Sequence, residues 1–124
     1  MTHHDYLVEM TFPPFGTLPG PAEAVAFNER MVLPTLDALQ QLEASGRIRA
    51  GGTALAAVGF SFVFRAASPE ELEQTLGALP LWPRAQTRVL PLGTFAARAQ
   101  TARQRLQQLK QRLAAESAPV PQRN

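Results

Sequence analysis

The residues of this chain that could carry acid–base or ligand-binding chemistry are few. Glu9 stands within the mostly apolar stretch DYLVEMTF, and Asp37 lies in a segment with helical periodicity. Arg49 follows Arg47 at a spacing of two, and a guanidinium binds a carboxylate through two parallel hydrogen bonds. A carboxylate near an arginine is suited to moving a proton in an anionic substrate. We therefore predict Glu9 and Asp37 as catalytic residues and Arg49 as a substrate-binding residue.

Glu9 and Arg49 each have a structural alternative. If the strand face that carries Glu9 is buried between subunits, its carboxylate needs a cationic partner, although a desolvated carboxylate is also a common catalytic base. Arg49, Arg65 and Arg88 on neighbouring strands are the candidate partners. Arg49 could equally lie on a solvated strand face.

Ser61 and Trp82 are also predicted to bind substrate. Ser61 lies on the strand face opposite Phe60 and Phe62, and no histidine is placed to activate it as a nucleophile. The phenylalanines at alternate positions favour a sheet core, or the wall of an apolar pocket. Trp82 stands between two prolines and is expected either to fill a helix–sheet corner or to line a pocket mouth.

Metal and cofactor chemistry is not indicated. The chain has no cysteine, and its two histidines, His3 and His4, are adjacent near the N-terminus. A metal site there would need carboxylates as further ligands. We predict no metal and no cofactor.

The bulk composition predicts one small cytoplasmic domain. The chain has 124 residues, of which 45% are hydrophobic, enough for one core. No apolar run approaches the ~20 residues of a transmembrane helix, and MTHHDYLVEM does not resemble a secretory signal. The absence of cysteine suits a reducing compartment.

The net charge of +2 is unevenly distributed. Residues 1–94 contain six arginines against nine acidic residues, whereas residues 95–124 contain six Lys and Arg against Glu116 alone. A basic helix can bind nucleic acid or an anionic membrane. Because this one lacks interleaved aromatic residues and a recognisable reading motif, we predict neither partner.

The periodicities predict the element order β-α-β-β-α-β with a third helix at the end. Ser68-Pro69-Glu70-Glu71 is a strong helix start, and Pro34 should kink or split the first helix. Gly51-Gly52 favours a bulge or a close backbone approach, and Pro91 is tolerable at a sheet edge. The predicted elements are strands at 5–12, 47–56, 60–66 and 84–92, with a turn near Val58-Gly59, and helices at 22–44, 68–79 and 94–116.

This order predicts an α+β, ferredoxin-like sandwich with both helices on one face of an antiparallel sheet. The other face should find a partner, so we expect a homodimer or higher oligomer. The domain is assigned to residues 1–93 and a flexible tail to 117–124. Residues 94–116 have apolar residues at heptad spacing, which predicts an oligomerisation arm packed on a neighbouring subunit or on its own domain.

Three stretches resemble the muconolactone isomerase family. ELEQTLGALPLWPRAQTRVLPL is similar to its C-terminal half, with a Glu-Leu helix start, a Leu-Pro-Leu-aromatic-Pro corner and a final strand ending in Pro-Leu. LVEM followed by PP resembles the family's first strand, and SFVFRAAS its third strand and helix cap. The resemblance covers about residues 5–92. It implies a dimeric α/β barrel, larger oligomers, no cofactor, and a shift of a double bond in a small lactone that carries a carboxylate.

The resemblance also shows departures from the family's polar site. The positions that match the family's Arg, His, Trp and second Arg on its second strand are Arg49, Ala50, Gly52 and Thr53. The arginine of the family's first strand is replaced by Glu9, and the glutamate of its first helix falls near Thr35. The fold-forming motifs are therefore kept, whereas most polar positions are not.

Two functions follow. The first is a cofactor-free isomerase of a small lactone or aromatic-derived carboxylic acid, with Glu9 or Asp37 as proton carrier and Arg49 as carboxylate anchor. The second is a non-catalytic protein of the dimeric α/β-barrel group that binds a small hydrophobic ligand or acts in assembly. The expected partners are a second copy of the chain and a small anionic or aromatic ligand.

Overall fold

The computed structural model describes residues 3–13, 20–54 and 59–117. The chain divides into two compact units, residues 1–92 and 93–124. The described residues of the first unit form four strands, three α-helical segments and two short helical segments of other types. In chain order they are β1 (His4–Thr11), α1 (Pro21–Phe27), a π-helical segment (Asn28–Val32), α2 (Leu33–Ala44), β2 (Ile48–Thr53), β3 (Gly59–Ala66), α3 (Pro69–Gly77), a 3₁₀ turn (Trp82–Arg84) and β4 (Gln86–Leu92).

The sheet has the order β2-β3-β1-β4 with every neighbouring pair antiparallel. Val8 of β1 lies opposite Phe62 of β3 and Val89 of β4. This is the ferredoxin-like α+β arrangement that the sequence predicts, and Pro91 lies on the edge strand β4 as expected. The predicted turn at Val58-Gly59 lies partly outside the described residues.

One face of the sheet is covered by the helices, and we call it the covered face. Along β1 the residues alternate between buried and half-buried, since successive side chains of a strand point to opposite faces. The buried members pack against α2 and α3 in one core. Its buried residues are Tyr6, Val8, Met10, Phe12, Ile48, Phe60, Phe62, Phe64, Ala66, Leu72, Leu76, Leu79 and Leu81.

The first helical run changes type before Pro34. Residues 28–32 form a π-helical segment, and the Leu33 N–H donates to the carbonyl of Asn28. Proline has no N–H to donate and its ring crowds the preceding turn, so a local widening of the helix accommodates it. The predicted interruption is therefore a π-helical turn between two α-helices.

Gly51 makes the predicted close backbone approach. The register of β2 against β3 shifts between Ile48 and Ala50, and Gly51 has φ 134°. A Cβ on Gly51 would lie 2.3 Å from the Ser61 carbonyl oxygen. Only glycine fits this position, because both its conformation and the contact exclude a side chain.

The second unit contains the single described helix α4 (Phe95–Ser117). The Thr94 hydroxyl accepts a hydrogen bond of 3.0 Å from the Ala97 N–H and so caps its start. Residues 118–124, which include most of the predicted tail, lie outside the described residues. Across the described part of the chain, no helix combines the length and apolar character that crossing a membrane requires.

Candidate functional site

A cavity of about 110 Å³ lies between α2 and the β2–β3 edge of the sheet, and we call it the α2–β2 cavity. The helix contributes one side, the glycine-containing strand the other, and two phenylalanines of β3 the floor. The lining residues are Leu36, Leu39, Gln40, Glu43, Ile48, Gly51, Gly52, Thr53, Phe60 and Phe62.

The local sequence explains why a cavity forms here. Leu36, Leu39, Gln40 and Glu43 are spaced by three or four residues and therefore form one stripe of α2. Opposite them, β2 presents glycines where larger side chains would fill the space. The register shift between Ile48 and Ala50, together with Gly51, lets β2 lie close against β3 without adding a side chain to the cavity.

The cavity suits a small, largely apolar molecule with a few polar groups. Its walls are mostly aliphatic and aromatic, as is typical of ligand sites. Three lining side chains are polar: Gln40, Glu43 and Thr53. Glu43 is exposed and brings a carboxylate to the lining, and a carboxylate can accept and return a proton.

Glu9 and Ser61, two of the predicted site residues, lie together on the other face of the sheet. Glu9 is half-buried and lies opposite Ser61 of β3 and Arg88 of β4. Leu7 and Leu90 flank them on the same face, around a shallow cavity of about 70 Å³. We call this surface, which no described helix of the first unit covers, the open face. The register thus places Arg88, one of the three candidate partners, opposite Glu9.

Arg65 and Arg47 have surroundings different from those of Arg88. Arg65 pairs with Asp5 at 3.4 Å on the open face. Arg47 donates to the Glu71 carboxylate at 2.7 Å, and its guanidinium lies 4.9 Å from the ring centroid of Phe64. Arg47 is therefore part of the contact between the sheet and α3.

Arg49 and Asp37 do not meet Glu9. Arg49 is exposed at the register shift of β2, between Ile48 and Gly51, which both line the α2–β2 cavity. Asp37 is exposed on α2 and is not part of the cavity lining. The five predicted site residues are therefore scattered over the domain. Only Glu9 and Ser61 lie next to each other.

Trp82 lies at a corner that Thr35 fixes to α2. The buried Thr35 hydroxyl accepts from the Leu81 N–H at 3.1 Å and donates to the Met31 carbonyl at 2.7 Å. The Trp82 N–H donates to the Leu79 carbonyl at 2.9 Å, which tightens the turn. The corner is thereby held by backbone bonds and one buried side chain.

The Trp82 side chain has both of the predicted environments. It is half-buried against the core, and it also lines a second cavity of about 260 Å³ together with residues of α3 and β4. Thr87 lies in the same lining, and its hydroxyl is buried without a hydrogen-bond partner among the described residues. Trp82 is thus a corner residue that also borders a cavity.

Gln40 and Glu43 are lining residues that the sequence interpretation did not single out. Their signal was the helical stripe that they share with Leu36 and Leu39. Polar residues on a helix are usually solvated, so the stripe alone does not distinguish them. The glycines opposite leave the space open, but in the sequence they indicate only a bulge or a close backbone approach.

The antiparallel sheet with helices on one face defines a ferredoxin-like domain, and an apolar cavity lies beneath α2. The sequence model of the muconolactone delta-isomerase family matches residues 5–98. This chain belongs to that family.

A solved structure agrees with this assignment. The crystal structure of a muconolactone isomerase at 3.3 Å resolution is 26% identical in sequence and has a TM-score of 0.57. The match covers 73% of this chain and 88% of the other. A comparison with curated proteins gives no significant match. The resemblance seen in the sequence is thereby confirmed.

Proposed function

We propose that this protein is a cofactor-free isomerase that shifts a double bond in a small lactone or aromatic-derived carboxylic acid bound in the α2–β2 cavity. The observation that carries the proposal is a carboxylate, Glu43, in the lining of an apolar cavity within a muconolactone delta-isomerase domain. The cavity also includes Gly52 and Thr53, which the resemblance assigns to polar positions of the family's second strand.

The proposed reaction needs one proton carrier and no net change in composition. A carboxylate removes a proton from the carbon beside a carbonyl, and the electron pair moves toward the carbonyl oxygen. The same proton, or one from solvent, then returns at another carbon, which leaves the double bond displaced. Glu43 is the proposed carrier, and Arg49, which lies between two lining residues of β2, is the proposed anchor for the substrate carboxylate.

Glu9 is the competing proton carrier, and a matched assay separates the two. Isomerisation of (+)-muconolactone is measured for the parent chain and for Glu43→Gln, Glu9→Gln, Arg49→Ala and the exposed control Glu29→Gln. We expect Glu43→Gln to lower kcat ~100-fold or more, Arg49→Ala to raise KM, and the control to match the parent. Loss of turnover in Glu9→Gln alone would transfer the role to the open face. No turnover by the parent would overturn the isomerase proposal for this substrate.

A second function, binding of a small hydrophobic ligand without turnover, is favoured by one observation. Thr35, near the position of the family's helix glutamate, is buried and engaged in two hydrogen bonds that hold the corner. The Thr35 hydroxyl thus has a structural role. If this function is correct, the parent binds muconolactone by calorimetry without converting it, and Gln40→Phe, which fills the cavity mouth, abolishes binding.

Self-association is proposed through the open face. Leu90 is 55% exposed and Leu92 38% exposed on this face, and apolar patches of this kind commonly mark interfaces. Sedimentation velocity should give a dimer or larger species for the parent and a smaller species for Leu90→Asp. A monomeric parent would contradict the proposal. A cytoplasmic location and a role in degrading aromatic-derived acids complete the proposed function.

A further inference from the structure

The helix α4 has an apolar stripe whose large side chains are exposed. Its apolar residues recur at alternating spacings of four and three, the pattern of a coiled-coil seam. No residue of the helix is buried, and Phe95, Leu106, Leu109 and Leu113 are 96%, 51%, 48% and 63% exposed. The members of this seam are Phe95, Ala99, Ala102, Leu106, Leu109 and Leu113.

Every cation of α4 borders the seam. With Leu106 at heptad position a and Leu109 at position d, the basic residues fall only at the two flanking positions, e and g. The positions away from the seam carry Gln, Thr and Ala. The residues at g are Arg98, Arg105 and Arg112, and those at e are Arg103 and Lys110.

This arrangement disfavours pairing of α4 with a second α4. In a parallel pair the g positions face the e positions of the partner helix, and in an antiparallel pair like positions face each other. Either geometry places Arg or Lys beside Arg or Lys at most of the flanking positions, since only Ala96 and Ser117 at e are uncharged. Like charges at these positions destabilise a pair and select against it.

The width of the apolar stripe indicates whether α4 is suited to contact another helix or a membrane surface. The seam occupies only positions a and d, and two of its six members are alanine. A helix that lies in a membrane surface needs a broader apolar face with large side chains. A narrow seam flanked on both sides by charge is typical of helix-to-helix contact.

We infer that α4 is a docking surface for an amphipathic helix of another protein that carries apolar residues at a and d and Asp or Glu at e and g. Such a partner covers the exposed leucines and places a carboxylate opposite each cation of α4. The family match ends at residue 98, so nearly all of this surface lies beyond the part shared with the family. The inference does not depend on the reaction proposed for the first unit.

The test uses the full chain and three labelled synthetic peptides of equal length. One has Leu at a and d and Glu at e and g; the second has Lys in place of Glu; the third has the composition of the first in scrambled order. Fluorescence anisotropy should show binding of the first at least ~10-fold tighter than either of the others. Its affinity should fall as salt rises, since the flanking charges are exposed. Equal binding of the first and scrambled peptides would overturn the inference, because charge alone would then explain it.

Two variants locate the binding on the seam. Leu106→Gln with Leu109→Gln should weaken binding of the acidic peptide at least ~10-fold, whereas Gln104→Ala with Gln111→Ala, on the opposite side of α4, should leave it unchanged. Circular dichroism of each variant shows whether its helix content is kept. Binding that survives the leucine changes would overturn the inference. Tighter binding to phosphatidylserine-containing vesicles or to duplex DNA than to the acidic peptide would also overturn it.

Discussion

The same strands form the covered and open faces of the sheet, but the two faces differ in side-chain composition and burial. Toward the helices, the central strands β1 and β3 contribute apolar side chains that are nearly all buried, as Val8 and Phe64 are. Toward the open face, β1, β3 and β4 mix leucines with an ion pair and with Glu9 beside Ser61 and Arg88. Packing therefore determines the first face, whereas the second keeps the chemical variety that an interface or a site requires.

The comparison also separates what stabilises the domain from what gives it a function. The α2–β2 cavity lies on the covered side, beside the glycines and the register shift of β2. A site can thus arise on the covered face where small residues interrupt the regular packing of side chains.

Gly51 and Gly52 are adjacent glycines that should respond oppositely to alanine. Gly51→Ala forces a Cβ to within 2.4 Å of the Phe62 Cα at φ 134°, and we expect a loss of about 3 kcal/mol of unfolding free energy. Gly52→Ala meets no atom within 4 Å and removes a flexible residue from a strand, so its stability should be unchanged or raised by ~0.5 kcal/mol. Urea denaturation of both variants measures the difference. Similar stability of the two would mean that the bulge does not exist in solution.

Replacing one valine on each face by alanine compares the contribution of the two faces to the unfolding free energy. Val8 is fully buried on the covered face, and Val8→Ala should lower the unfolding free energy by about 2.5 kcal/mol through lost contacts and a residual cavity. Val63 is half-buried on the open face, and Val63→Ala should cost less than ~1 kcal/mol. Chemical denaturation at two protein concentrations provides the measurement. A larger, concentration-dependent loss for Val63→Ala would show that the open face is buried against another copy.

Two buried threonine hydroxyls on the covered side should respond differently to replacement by valine. Thr35→Val leaves the Leu81 N–H without its acceptor, and we expect a loss of about 2 kcal/mol. Thr87→Val removes a buried hydroxyl that lacks a partner among the described residues, and we expect stability to stay equal or to rise by up to ~1 kcal/mol. Thermal unfolding distinguishes the signs. Destabilisation by Thr87→Val would mean that this hydroxyl has a partner in solution.

The fold could be predicted from the sequence because its signals are local and mutually consistent. Alternation in DYLVEMTF, the Ser68 cap and the proline-flanked corner each fix an element, and together they leave one topology. The Ser68 side chain does accept from the Glu71 N–H at 3.2 Å, as a cap should. The sequence indicates Arg49, Arg65 and Arg88 as candidate partners of Glu9, and the strand register places Arg88 opposite it.

The candidate site is harder to predict than the fold, because a cavity forms where large side chains are absent. Gln40 and Glu43 are ordinary polar residues on a helix until the glycines of β2 are known to lie opposite them. The role of Thr35 depends on Leu81, which is 46 residues away in sequence. Long-range contacts of this kind leave no periodic signal in a single sequence.

The smallest predicted effect concerns the two ion pairs, one on each side of the sheet. Arg47 and Glu71 approach to 2.7 Å, and the guanidinium also lies over Phe64, so a double-mutant cycle should give a coupling of about 1 kcal/mol. Arg65 and Asp5 approach only to 3.4 Å and are each more than a third exposed, so their coupling should be about 0.3 kcal/mol and should vanish in high salt. Unfolding of the single and double alanine variants supplies both cycles. A coupling for Arg65 and Asp5 that equals the other pair and resists salt would mean that this ion pair is desolvated, which on the open face requires a partner that covers it.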